Sequence, residues 1–212
     1  MDTMTLRMAG VYDLRTIKSL QEKKVNHFAF DFRPRSLNFI QEHLCLKLLK
    51  SISFDHIYLQ FENEKPYIIE RIFKNVRDSF GGEVSVEVFG SLPEIETFHF
   101  PFFYNIKYES IPVEVVNHPN LKGYSIDAKF LKLLKDNGSF EGWLNSFYTL
   151  NAARSSELVH ILSRDWDDDI FPTLYDLLDF DLISLSINSK VELCYRNVDL
   201  KKLEQHLTYI RP

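Results

Sequence analysis

Residues 6–40 read LRMAGVYDLRTIKSLQEKKVNHFAFDFRPRSLNFI. A short apolar run, Thr5 to Ala9, ends in a small turn. An amphipathic stretch from Asp13 to Lys24 follows, and a second run, His27 to Phe32, closes the unit. Within the middle stretch Leu14, Ile17, Leu20 and Gln21 fall on one face, against the charged Arg15, Lys18 and Lys23. That is the 3.6-residue period of a helix with one side to bury. Strand, helix, strand is a βα unit, and the helix needs a sheet to cover its apolar face.

The same rhythm continues along the chain. Further strand-like runs are His56 to Phe61, Val84 to Phe89, Phe103 to Lys107, Gly123 to Asp127, Leu158 to Ser163 and Leu182 to Ile187. Further helical patterns cover Asn38 to Ser51, Lys65 to Ser79, Ser139 to Asn151, Asp167 to Leu178 and Val198 to Leu207, with weaker links after the fourth and fifth strands. In the fourth strand Val84, Val86 and Val88 share one face and Ser85, Glu87 and Phe89 the other. The valine face suits packing against helices, and Glu87 suits a barrel mouth. Eight units in 212 residues average about 26 residues each, near the lower limit for a closed (β/α)8 TIM barrel of eight parallel strands. An open doubly wound sheet uses the same rhythm but carries a glycine-rich first turn, and here that turn is AGVYD. Periodicity alone leaves both open.

Composition narrows the class. With 45% hydrophobic, 26% charged and 14% aromatic residues, the chain can bury a sizeable core, and no Pro-, Gly- or Ser-rich linker divides it, so residues 1–212 are expected to form one domain. A net charge of -5 offers no basic footprint for nucleic acid or an anionic membrane. No apolar run approaches the ~20 residues of a spanning helix. The N-terminal MDTMTLRMAG has no basic region followed by an apolar stretch, and Cys45 and Cys194 form neither a disulfide framework nor a CxxC pair, so a cytoplasmic location is expected. The seven histidines show no metal-ligand spacing, and there is no G-x-S-x-G, Walker or G-x-G-x-x-G motif, so no metal is expected.

Several segments, taken in order, resemble phosphoribosylanthranilate isomerase, a small (β/α)8 enzyme of tryptophan biosynthesis. The opening segment quoted above is similar to the family's K-I-C-G-I-x-x-x-x-D/E-A, helix, and G-F-V-F-x-x-K/R-S-x-R-x-V. EVFG, Glu87 to Gly90, stands where the family has Q-L-H-G, with a Pro-Glu pair soon after. SIDAK, Ser125 to Lys129, is similar to L-L-D-A/S, and NGSFEGW, Asn137 to Trp143, to G-T-G-K-T-F-D-W. The resemblance implies an Amadori rearrangement of a phosphorylated aminoribose, without metal or organic cofactor. That reaction needs a general acid, a general base and a grip on a phosphate dianion.

By this resemblance Asp127 falls on the catalytic acid, although it equally suits a helix cap. The family's cysteine base matches Ala9, whose methyl accepts no proton. Asp31 and Glu87 are the carboxylates that could replace it, or they are satisfied structural groups. The arginine of S-x-R falls on Asn38, so a bidentate clamp is missing there. The phosphate turns after strands seven and eight match Leu162, Ser163 and Arg164, and Ser184, Leu185 and Ser186, where side chains replace glycines. Asp165, Trp166, Asp167, Asp168 and Asp169 follow directly. At an effective dielectric of ~20, one carboxylate ~6 Å from a unit negative charge costs roughly 3 kcal/mol before screening. The DWDDD stretch also reads as an acidic helix start. The expected substrate face therefore comprises Ala9, Arg35, Asn38, Phe89, Arg164, Ser184 and Ser186. The resulting expectation is a divergent isomerase-like barrel that has lost the reaction and binds a small molecule or a protein partner at its mouth. The alternative is an active isomerase using Asp127 and a relocated carboxylate. Phe98, Phe100, Phe102, Phe103, Tyr104 and Tyr108 either fill the fifth strand or form an aromatic patch for a partner or dimer across residues 98–108.

Overall fold

Pairing of the first strand with the eighth decides the architecture. In the computed structural model, which describes residues 5–90, 95–107, 110–152, 157–167, 174 and 177–210, eight parallel strands close on themselves. They are β1 (Thr5–Ala9), β2 (His27–Asp31), β3 (His56–Phe61), β4 (Glu83–Phe89), β5 (Phe102–Ile106), β6 (Leu121–Asp127), β7 (Val159–Arg164) and β8 (Leu182–Ser186). Thr5 pairs with Leu182 and Ala9 with Ser186, so the sheet has no free edge and an open doubly wound sheet is excluded. The chain is a single (β/α)8 TIM barrel.

Around it lie α1 (Leu14–Glu22), α2 (Glu42–Leu49), α3 (Pro66–Phe80), α4 (Val113–Val116), α5 (Ala128–Asp136), α6 (Phe140–Asn151) and α7 (Leu200–Ile210). Asp13 caps α1, its carboxylate accepting from the backbone N–H of Thr16 at 2.8 Å, and Ile17 and Leu20 are buried beneath. Proline at the first position starts α3, left-handed Gly81 ends it, and Ile69, Ile72, Phe73 and Val76 turn inward. Val84, Val86 and Val88 pack in the same shell of core as these helices, as their strand-four spacing predicts.

Three elements differ from the expected rhythm. The helix expected from Asn38 begins at Glu42, because Pro34 to Asn38 form turns and Asn38 Nδ2 donates to the Ile187 carbonyl at 2.6 Å. Helix α5, unmarked by the rhythm, follows β6 without a loop, with Phe130, Leu131 and Leu134 buried at helical spacing. A short hairpin, β9 (Glu192–Cys194) and β10 (Asn197–Val198), precedes the final helix. Of the helix expected over Asp167 to Leu178, all but Asp167, Leu174, Leu177 and Leu178 lies outside the described residues. Of the aromatic segment, Phe98, Phe100, Phe102, Phe103 and Tyr104 are all buried, so these five rings fill core rather than form a surface patch; Tyr108 lies outside the described residues.

Inside the barrel the residues alternate with those facing the helices. Ala9, Ala29, Tyr58, Phe103, Ile161 and Leu182 form an apolar cluster separate from the outer core. The strand register sets Asp31, Phe89, Asp127 and Ser186 at the carboxyl-terminal mouth. Ala9, Gln60, Asn105 and Ser163 lie next below, then Ala29, Glu87, Ser125 and Ser184, then Arg7, Tyr58, Phe103 and Ile161. A barrel interior is usually filled by bulky branched residues. This one is polar through its upper half.

Candidate functional site

Glu87 is fully buried, two steps below the open mouth. It faces Arg7 from across the barrel, and neither side chain is exposed. Arg7 Nη2 donates to Glu87 Oε1 at 3.1 Å, and Nη1 makes a close ion contact with Oε2 at 2.9 Å. Gln60 Nε2 donates to Oε2 at 2.8 Å, and Arg7 Nε donates to the Ser184 hydroxyl at 3.0 Å. Burial by itself pushes the Glu87 carboxyl up, but the charge and hydrogen bonds of Arg7, with those of Gln60 and Ser125, hold it below the ordinary glutamate value. A carboxylate so held is a poor general base.

At the mouth, Asp31 is buried and accepts three hydrogen bonds from Arg33: from the backbone N–H at 3.0 Å, Nε at 2.8 Å and Nη2 at 2.6 Å. The Arg33 guanidinium lies 4.1 Å over the Phe89 ring, whose other cationic neighbour, Lys107, is 5.2 Å away and 3.5 Å from Glu62. Asp127 caps α5, its Oδ1 accepting from the Lys129 N–H at 2.8 Å. Ala9 is buried and points into the barrel. Arg35 is exposed on the turn after β2. Arg164 follows Ser163 on β7 and so shares the outward parity of Leu162, away from the interior.

Beyond β7 and β8 the loops are tied together. The Trp166 indole N–H donates to the carbonyl of Ser186 at 2.8 Å. Asp165 accepts from the Trp166 backbone N–H at 2.8 Å, from Asn188 Nδ2 at 2.9 Å and from Lys190 Nζ at 2.7 Å. Although burial raises it, these bonds and the Lys190 charge pull the Asp165 carboxyl down to about 2. Asp167 also meets Lys190, while Asp168 and Asp169 lie outside the described residues. Asn38 reaches this side through its bond to Ile187. A side chain on left-handed Gly10 would overlap the Asn38 amide, its Cβ 2.4 Å from Nδ2, so glycine is required for the two loops to meet.

The structure thus brings Asp31, Phe89, Asp127 and Ser186 to one rim, places Glu87, Ser184 and Ala9 inside, sets Arg35 on the exposed turn after β2, and gives Arg164 the outward parity of its strand. The residues that sequence reasoning missed are Arg7, Gln60, Asn105 and Ser125, all polar at inward-facing strand positions, a pattern visible once the alternation is written out. Arg33, Lys107 and Lys190 each face a carboxylate, so these mouth cations are already neutralised. Among the described residues no three His, Cys, Asp or Glu side chains are placed to hold a metal ion, and no helix is long and apolar enough to cross a membrane.

Among solved structures the chain is similar to phosphoribosylanthranilate isomerase from Thermus thermophilus, at 15% identity and a TM-score of 0.63, over 98% of this chain and 100% of that one. It is similar to TrpF from Jonesia denitrificans at 14% identity and a TM-score of 0.65, over 98% and 97%. A citrate synthase, SbnG, matches at 12% identity and a TM-score of 0.54, over 99% and 91%. No family model and no curated protein matches the sequence. The class so defined is the TIM barrel. Within it, the fold is that of the phosphoribosylanthranilate isomerases, and at these identities the likeness is one of fold.

Proposed function

We propose that this barrel does not carry out the isomerase rearrangement and works by binding at its carboxyl-terminal mouth. The observation that carries this reading is Asp165. An ionised carboxylate, with Lys190 and Asn188 as its partners, stands between the β7 and β8 loops, where the resemblance puts the phosphate grip. An incoming dianion would compete with Asp165 for Lys190 and meet its charge. Ala9 in place of a base, and Glu87 and Asp31 each held by an arginine, support the same conclusion. Support for a binding role comes from Leu37 on the loop after β2 and Leu193 and Tyr195 on the β9–β10 hairpin, exposed at 75%, 69% and 64%, which Arg196 draws together by donating to the Phe39 carbonyl at 3.1 Å.

The test is an assay of the purified chain with phosphoribosylanthranilate, alongside thermal shift with ribose 5-phosphate. No turnover above the uncatalysed rate and no stabilisation are expected. Turnover that disappears in Asp127→Asn would overturn the proposal.

A further inference from the structure

A well-formed cavity opens at the opposite end of the barrel. It has a volume of about 860 Å³, within the range of small-molecule sites. Its origin is in the sequence. The interior step below Arg7, Tyr58, Phe103 and Ile161 is built from His27, Ser85, Gly123 and Leu182, two of them too small to meet across the axis. Gly123 cannot be larger, since a Cβ there would stand 1.8 Å from the Val159 carbonyl oxygen.

The walls mix apolar and polar groups. Phe103, Val159 and Leu182 supply apolar surface, and Tyr58, His56 and His27 form a tier of rings. His56 stacks on Tyr58 at 4.3 Å between ring centres, and His27 lies 5.9 Å from His56. Tyr58 is buried along the wall, and His27 Nδ1 is buried with no hydrogen-bond partner among the described residues. Unpartnered buried polar atoms carry a desolvation cost that a bound group can relieve. At the rim stand Glu83, Glu157 and Asp181, with Lys122 the one cation among the described lining residues. Burial pushes His56 down to about 4 and lowers His27 too; Glu83 lies 3.1 Å from His56 Nδ1, and Asp181 Oδ2 accepts from the His160 backbone N–H at 2.7 Å, so the rim holds three carboxylates with few donors facing them.

We infer that this amino-terminal cavity binds a small organic amine, its apolar body against Phe103, Val159 and Leu182 and its ammonium group toward Glu83, Glu157 and Asp181. The apolar wall accounts for the body, the acidic rim for the sign of the charge, and the buried His27 Nδ1 for a hydrogen-bonding group on the ligand. The site is separate from the mouth discussed above, and its failure would leave the isomerase question untouched.

Titration of the full chain with 2-phenylethylamine, its anionic counterpart 3-phenylpropionate and the neutral 3-phenylpropan-1-ol tests this, read by calorimetry and by the NMR resonances of the His27 and His56 rings. The amine should bind at least tenfold tighter than the anion and shift both rings. Glu83→Gln combined with Glu157→Gln, both surface changes, should weaken the amine at least tenfold and leave the alcohol unchanged. Equal or tighter binding of the anion, undisturbed histidine resonances at millimolar amine, or amine affinity surviving the double substitution would each overturn it.

Discussion

Arg7 and Glu87 meet across the barrel axis, fully buried and 2.9 Å apart, from strands that are not neighbours. The pair lies where an ordinary barrel stacks aliphatic side chains, and its desolvation is offset by Gln60, Ser184 and the mutual charge. Removing one member strands the other. Glu87→Ala is expected to lower stability by about 3–5 kcal/mol in urea unfolding, and Arg7→Met similarly. Replacing both with leucine should cost clearly less than either single change, because the isolated charge is then absent. A double loss equal to the sum of the singles would show that the two do not couple.

Acid should weaken the fold in two windows. The folded-state value of His56 is about 4 against an ordinary 6.5, so between those limits the unfolded chain binds a proton that the native chain refuses, and stability falls as pH falls. Glu83, 3.1 Å away, is 80% exposed and does not offset the burial. From pH 7 to pH 5 the loss should be about 1–2 kcal/mol, His27 adding in the same direction, and His56→Gln should shrink it. Glu87 and Asp165 have depressed values, so their contribution is present above the ordinary carboxylate range and disappears as pH falls through the lower folded values. Urea titrations at pH 7, 5 and 3 check both windows.

Asp127 is bonded as a helix cap, which gives a prediction independent of chemistry. Asp127→Ala should cost about 1 kcal/mol, whereas Asp127→Asn, which still accepts a bond from the Lys129 N–H, should be near neutral. Thermal unfolding of the two variants distinguishes them.

Gly123→Ala should be among the most damaging small substitutions in the chain. With a Cβ 1.8 Å from a backbone oxygen of β7, the two strands must separate, at a cost of about 3 kcal/mol or more. Gly138→Ala offers a contrast, since nothing lies within 4 Å of its added carbon, though its φ of +72 carries its own backbone cost.

The strands were legible because each is a short β-branched or aromatic run between helical periods, and the valine face of β4 told inside from outside. Depth was not legible. Alternation says that Glu87 points inward, but how far below the mouth it sits depends on the stagger between strands, which no single strand encodes. Its partner Arg7 lies 80 residues away and reads locally as one charge in an apolar run. Helix α5 escaped the rhythm because Asp127 ends one element and caps the next, leaving no turn residues between them. The cavity was invisible for the same reason as the ion pair: Ser85 and Gly123 are small in sequence, but only the closed ring sets them at one level.

The pairing of β1 with β8 also bears on synthesis. Until residue 186 has been made, Thr5–Ala9 presents a bare row of amide and carbonyl groups on one side, and Arg15 and Tyr12 wait for Val198 and Glu192, which hold the first loops in place. A nascent chain therefore carries a sticky flank for most of its translation, and a stalled product shorter than this is expected to self-associate through it.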